Sequence, residues 1–267
     1  MSSTPAHPWL VAVAALAAAN AAHAQATLLS DVRRLSATAS AGSATHADAA
    51  TPSSPFAPFS PTPLSVHATS GTTSTTASAS QSSSVSPSHF IASGAASASG
   101  QRASGDPGNA QSSSSFFISF RLASPTWITL DATLTLGQVS KAQLLLQGAA
   151  GQVSFIRDAQ SPQPISLHSL LPAGDYTLVA FAAANISLFP GSSLADGCSF
   201  ALDAALHPPC PADFDQDGFV DFFDFDAFVA CFEGDPCPPG SSADFDQDGF
   251  VDFFDFDAFV TAFEAGC

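Results

Sequence analysis

Residues 212–233 read ADFDQDGFVDFFDFDAFVACFE, and residues 243–264 read ADFDQDGFVDFFDFDAFVTAFE. The second copy begins 31 residues after the first, and only Ala230/Thr261 and Cys231/Ala262 differ. Each copy sets Asp at positions 1, 3, 5, 9 and 12 of a loop, with Gly at position 6. In the first copy these are Asp213, Asp215, Asp217, Asp221 and Asp224, with Gly218. In the second they are Asp244, Asp246, Asp248, Asp252 and Asp255, with Gly249. A merely solvated acidic run has no reason to place glycine sixth and then repeat the whole pattern.

Carboxylates at alternate positions can converge on one point, and only a cation makes that favourable. The spacing is that of a calcium loop. Ca2+ is a hard ion that takes about six to eight oxygens. The residues at 1, 3 and 5 wrap one side of it, and glycine at 6 permits the sharp turn. Position 7 offers its backbone carbonyl, position 9 acts through water, and position 12 closes the far side. Phe219 and Phe250 stand at position 7, where the side chain is not used. Position 12 is Asp224 or Asp255, a shorter arm than Glu that suits a helix standing closer to the ion. Two loops imply two calcium ions.

A helix is expected to follow each loop from about position 10. Phe225, Phe228 and Phe232 then share one face, as do Phe256, Phe259 and Phe263, and these six predict the core of a small module. With about 100° between residues, Phe223 and Phe254 point away from that face, while Phe222 and Phe253 lie at its edge. An exposed aromatic patch usually marks a contact site. Phe222, Phe223, Phe253 and Phe254 are therefore the candidate partner-binding residues.

Duplicated D-x-D-x-D-G-x-V-D-x-x-D segments, each followed by one helix and preceded by none, resemble dockerin domains. The likeness covers residues 210–267, and both loops match at every ligand position. Cys-Pro-Ala-Asp-Phe at 210–214 and the terminal Gly266-Cys267 resemble the GC-type dockerin ends of planctomycete surface proteins. The resemblance implies a calcium-folded module that plugs an extracellular protein into a partner, usually a cohesin. It also implies that loop positions 10 and 11 help choose that partner. Dockerins usually carry polar residues there, and this chain carries phenylalanines. In dockerin-like folds the two ends lie close together, so the resemblance implies a Cys210–Cys267 disulfide. Cys231 and Cys237 can then close a small loop, leaving Cys198 free or intermolecular.

Composition sharpens the picture where charge is concerned. The formal charge is −17. From Pro211 onward there are 15 acidic residues and no Lys or Arg, while the preceding chain carries eight Asp and six basic residues. This asymmetry argues against nucleic acid as a partner, because phosphate binding needs basic patches. Five Cys fit an oxidising compartment. Their spacing is not C-x-x-C, which argues against structural zinc.

Residues 1–24 read as a secretory signal peptide. Residues 9–19 are an apolar run of the right length, and Ala22-His23-Ala24 supplies the small-x-small cleavage site. The run is shorter than the roughly 20 residues that span a bilayer, so no transmembrane segment is expected after leader removal. The expected location is secreted or at the cell surface.

Residues 25–206 read as one Ser/Ala/Thr-rich β domain, with His207-Pro208-Pro209 as a stiff linker to the module at 210–267. Its first half, 25–109, admits two readings: a low-complexity linker, or strands with small side chains. Low charge and period-two alternation favour strands around a Pro-rich loop at 51–63. The second half is clearer. Strands are expected at 115–122, 126–136, 142–147, 153–157, 165–167, 176–181 and 199–202. Many short strands with Gly/Pro turns predict a β-sandwich or jelly roll beside a small all-α module. The run LPAGDYTL at 171–178 resembles the penultimate hairpin of some extracellular β-sandwich domains.

No catalytic function is expected. Dockerins often accompany glycoside hydrolases, which need two positioned carboxylates. No Glu precedes Glu233, and no G-x-S-x-G or H-E-x-x-H occurs. A triad from His168, Asp131 and a serine is less plausible than a surface histidine. The expected function is a non-catalytic surface or assembly protein docked by its calcium module. The alternative is a carbohydrate-binding or polysaccharide-degrading component, with Trp127 and Tyr176 as the sugar-stacking residues.

Overall fold

A computed structural model describes residues 26–148, the backbone of 155–158, and 164–266. Residues 1–25, where the leader is expected, and Cys267 fall outside the described residues. Among the described residues, twelve strands precede two helices: β1 Thr27–Ala41, β2 Ala44–Ala50, β3 Leu64–Ser70, β4 Thr73–Ser86, β5 His89–Arg102, β6 Gly108–Leu122, β7 Thr126–Thr135, β8 Lys141–Gly148, β9 Phe155–Asp158, β10 Pro164–Leu171, β11 Gly174–Leu188 and β12 Ser192–His207. The helices are α1 Phe222–Phe232 and α2 Phe253–Ala265.

The strands form two six-stranded antiparallel sheets, ordered β2-β1-β6-β11-β8-β9 and β10-β7-β12-β5-β4-β3. They face each other across one core, so the chain is mainly β with a small helical module, as the sequence predicts. The driving pattern is alternation. In β6 the buried positions Phe116, Ile118, Phe120 and Leu122 alternate with more exposed ones, and β7 does the same with Ile128, Leu130 and Leu134. Burying each such side chain contributes roughly 1.5–3 kcal/mol.

The stretch 27–109 is built of strands β1–β5 and the start of β6 around the loop at 51–63, and is not a linker. Their inward face is small or polar: β4 buries Thr73, Thr75, Ala77, Ala79, Gln81 and Ser83. Small side chains leave room for the opposite sheet to approach closely. At Gly94 an added Cβ would overlap the Ser114 hydroxyl and stand 2.5 Å from the Phe200 ring. Three of the buried polar groups find partners across the sandwich. Thr75 Oγ1 donates to the Ser40 carbonyl, Ser112 Oγ to the Ser97 carbonyl and Gln81 Nε2 to the Ser115 carbonyl.

The Pro-rich loop at 51–63 is irregular as expected, and a buried charge pair holds it. Arg33 and Asp31 form a bidentate ion pair with both side chains almost fully buried. Arg33 also donates to the Ala57 carbonyl and lies over the Phe59 ring, and Asp31 accepts the Phe56 amide. Removing one partner strands the other charge out of water. Arg33→Ala is expected to destabilise the sandwich by about 3–5 kcal/mol, read from a denaturant midpoint.

Residues 171–178 do not form the hairpin expected of them. β10 lies in one sheet and β11 in the other, so this turn is a crossover between sheets. Tyr176 Oη donates to the Pro172 carbonyl at 2.8 Å and pins it. Tyr176 is 1% exposed, which removes it from any sugar-stacking surface. The phenolic ring is core because it opens β11 on the inward register, beside Phe120 at 5.7 Å.

Candidate metal centre

Each loop closes on the helix that follows it. Asp221 caps α1 by accepting the Phe223 amide, and Asp224 reaches back to the Asp221 amide, completing a capping box. Asp252 and Asp255 repeat this at α2. The Asp at position 12 therefore has a second task besides facing the loop. Asp224 Oδ1 accepts the Asp215 amide, and Asp255 Oδ1 accepts the amides of Phe245 and Asp246. Both residues are 1% exposed.

The turn itself is built by backbone conformation. Gly218 and Gly249 adopt φ of 93° and 94°, as the sixth position requires. Gln216 and Gln247, at the fourth position, also lie in the left-handed region at φ 62°. Such a conformation is uncommon outside glycine, and the Gln pair gave no warning of it in the sequence. The Gly218 amide points at Asp213 and the Gly249 amide at Asp244.

The result is two clusters of carboxylate oxygens. In the first, oxygens of Asp213, Asp215 and Asp217 all lie within 4.8 Å of one another. In the second, Asp244, Asp246 and Asp255 do so. Either can hold a metal ion, and an all-carboxylate set suits a hard cation. One further detail fits such an ion: Asp244 Oδ1 is buried and has no hydrogen-bond partner. Asp221 and Asp252 at position 9 are exposed caps outside both clusters, and the buried Asp224 is also outside them. Asp248 also lies outside the second cluster.

Electrostatics within the clusters reflect the crowding. Burial pushes the Asp213 carboxyl up, against the Gly218 amide, and the charges of Asp224, Asp217 and Asp215 add to the rise. Burial likewise raises Asp215. Asp246 receives the Asp248 amide, which favours its charged form, yet partial desolvation and neighbouring carboxylates hold it above the usual range. Asp255 goes the other way: burial would raise it, but its backbone amide donors outweigh that and lower it.

These shifts fix a sign. A carboxyl raised in the folded state costs the cation-free fold stability while ionised. That cost is relieved as pH falls through the raised value. Asp255 contributes stability that is lost only at lower pH, as it protonates below 3.8. Protons compete with a bound cation for the raised groups first. Cation affinity is expected to fall as pH drops, starting above the ordinary carboxylate value of 3.8, as calorimetric titrations across pH would show.

Around the loops, rings pack with an approximate twofold pattern. Phe228 and Phe259, equivalent residues, stack at 4.0 Å. Phe214–Phe259 at 5.8 Å mirrors Phe228–Phe245 at 5.9 Å, and Phe225–Phe263 at 5.9 Å mirrors Phe232–Phe256 at 6.0 Å. The six phenylalanines expected in this core are there. Phe214 and Phe245 join them, which the helical period could not indicate because both precede their helices. Phe222, Phe223, Phe253 and Phe254 are 68–72% exposed, as are Phe219 and Phe250. The last two rings add to the exposed aromatic surface; the loop reading used only their carbonyls.

Cys231 and Cys237 are bonded, with Cα atoms 4.7 Å apart, tying the end of α1 to the following turn. Cys198 is a free thiol, 5% exposed within the sandwich, which places it out of reach of another chain. The expected Cys210–Cys267 bond involves a residue outside the described range.

A catalytic constellation does not assemble from the sequence candidates. His168 is exposed on β10, its Nδ1 3.1 Å from Thr129 Oγ1, with Asp131 paired instead to Ser166 and Asp203 in the sheet. His168 stacks on Trp127 at 4.6 Å, and this pair abuts the first loop at Gly218. No family model matches the chain, and no curated protein matches it.

Proposed function

We propose that this protein is a secreted, non-catalytic surface or assembly protein whose C-terminal module is dockerin-like and docks an extracellular partner when two calcium ions are bound. The observation that carries the reading is the pairing of two near-identical carboxylate loops with two helices that leave four phenylalanines outside the core. The carboxylates give the module a cation requirement. The exposed rings give it a surface with an apolar ligand to find.

The partner is a cohesin-like or other extracellular surface protein, and the β-sandwich is the displayed body. No described helix is long and apolar enough to cross a membrane. The carbohydrate reading is weakened, since Tyr176 is core and Trp127 is stacked against His168. The test is affinity capture of cell-surface proteins by the full chain, with calcium and with chelator. A protein retained only with calcium supports docking. Retention of polysaccharide instead, or capture indifferent to calcium, overturns it.

A further inference from the structure

Residues 213–229 and 244–260 are identical in sequence. Any difference between the two loops must therefore come from what surrounds them, and the sandwich touches only one of the two loop glycines. A Cβ at Gly218 would stand 2.5 Å from His168 Nε2 and 3.3 Å from Trp127 Cη2, whereas nothing lies within 4 Å of the same point at Gly249. The Phe219 ring sits 6.3 Å from the His168 ring. Gln216 donates to the Pro239 carbonyl at 2.9 Å and to Ser241 Oγ, and Gln247 makes no such bond among the described residues. Asp213 is 6% exposed, while Asp244 is only half-buried. The clusters also differ in membership: positions 1, 3 and 5 converge in the first loop, and positions 1, 3 and 12 in the second.

We propose that the sandwich docks in cis on the first loop through Trp127 and His168, making it the tight cation site and leaving the second loop as the weaker, exchangeable one. This rests on the calcium reading above. The physical reason is preorganisation. A loop braced by a neighbouring domain and by its own following segment loses less freedom on binding an ion. Its first carboxylate is also further from water, where attraction to a cation is stronger. Linkage then works both ways: an ion that holds loop 1 in the braced shape also tightens the contact with the sandwich. The two halves of the chain would be rigidly coupled at cation levels that fill only the first loop.

The chain supplies its own reporter. Its tryptophans are Trp9 and Trp127, so Trp9→Phe in the full chain leaves one indole, placed against loop 1. Terbium, a calcium-sized ion with the same taste for oxygen, would be titrated while exciting tryptophan. Sensitised emission is expected to saturate with the first equivalent. Calcium calorimetry on the same chain is expected to resolve two steps about tenfold apart, a modest coupling. Asp213→Asn should remove the tighter step and Asp244→Asn the weaker. His168 is exposed, so His168→Ala should fold normally and bring the steps to within about twofold. Emission that rises evenly to the second equivalent, or a separation unchanged in His168→Ala, overturns the proposal. Absence of cation uptake by either loop is a different failure, and it overturns the calcium reading itself.

Discussion

Chelating calcium from the full chain is expected to dissolve both C-terminal helices while the β-sandwich stays folded. From Pro211 onward 15 carboxylates stand with no Lys or Arg to balance them. Two calcium ions would bring four positive charges to the points where those carboxylates converge. The helices span 11 and 13 residues, at or below the roughly 12–15 residues where isolated helices are marginal in water. What holds them is a small core whose buried members, among the described residues, are Phe214, Phe228, Phe259, Cys231 and Ala243. Such a core does not offset self-repulsion of that size, so cation binding becomes folding free energy. The sandwich has its own separate core and none of these ligands. Hydrogen exchange read by mass spectrometry localises the effect. Amides of Phe222–Phe232 and Phe253–Ala265 should lose protection in chelator, while β6 and β11 keep theirs. Helices that stay protected without calcium would sink this prediction.

What the sequence made legible follows from where each signal resides. The loops could be read because all their carboxylates lie within twelve consecutive positions. The second half of the sandwich could be read because large apolar side chains alternate with polar ones in β6, β7 and β11. The strands β1, β4 and β5 were ambiguous for a physical reason: β1 and β5 bury mostly alanine, and β4 buries Thr, Ala, Gln and Ser, so their inward faces have little hydropathy contrast with the Ser-rich outward ones. Only the partners across the sandwich, such as Ser40 for Thr75, make that face stable. The buried Arg33–Asp31 pair was hidden likewise, because its loop partners Phe56, Ala57 and Phe59 lie more than twenty residues on. The contact of Trp127 and His168 with Gly218 spans still greater separations, and no local pattern encodes it.

Single Phe223→Asp or Phe254→Asp changes are expected to weaken partner binding only about twofold, while the double change abolishes it. The ring pairs related by the 31-residue repeat match to within a few tenths of an ångström, so a half-turn of the module superposes one helix face on the other. Phe223 and Phe254 are each 68% exposed, so both faces stay available even though the loops beneath them differ in support. If a partner accepts either face, losing one removes half of the binding modes, a factor of about two or ~0.4 kcal/mol. Losing both removes the aromatic anchors themselves, and such anchors cost about 2 kcal/mol or more apiece. The substitutions suit the fold. Each residue lies outside the core, and an acidic side chain in the first turn of a helix is favoured by the helix dipole. Calcium binding should therefore persist in all three variants, which separates lost docking from lost folding. Binding is read by calorimetry or surface capture against the partner retained by the wild-type chain. A single change that eliminates binding refutes the two-orientation arrangement, and a double change without effect shows that the partner reads some other surface.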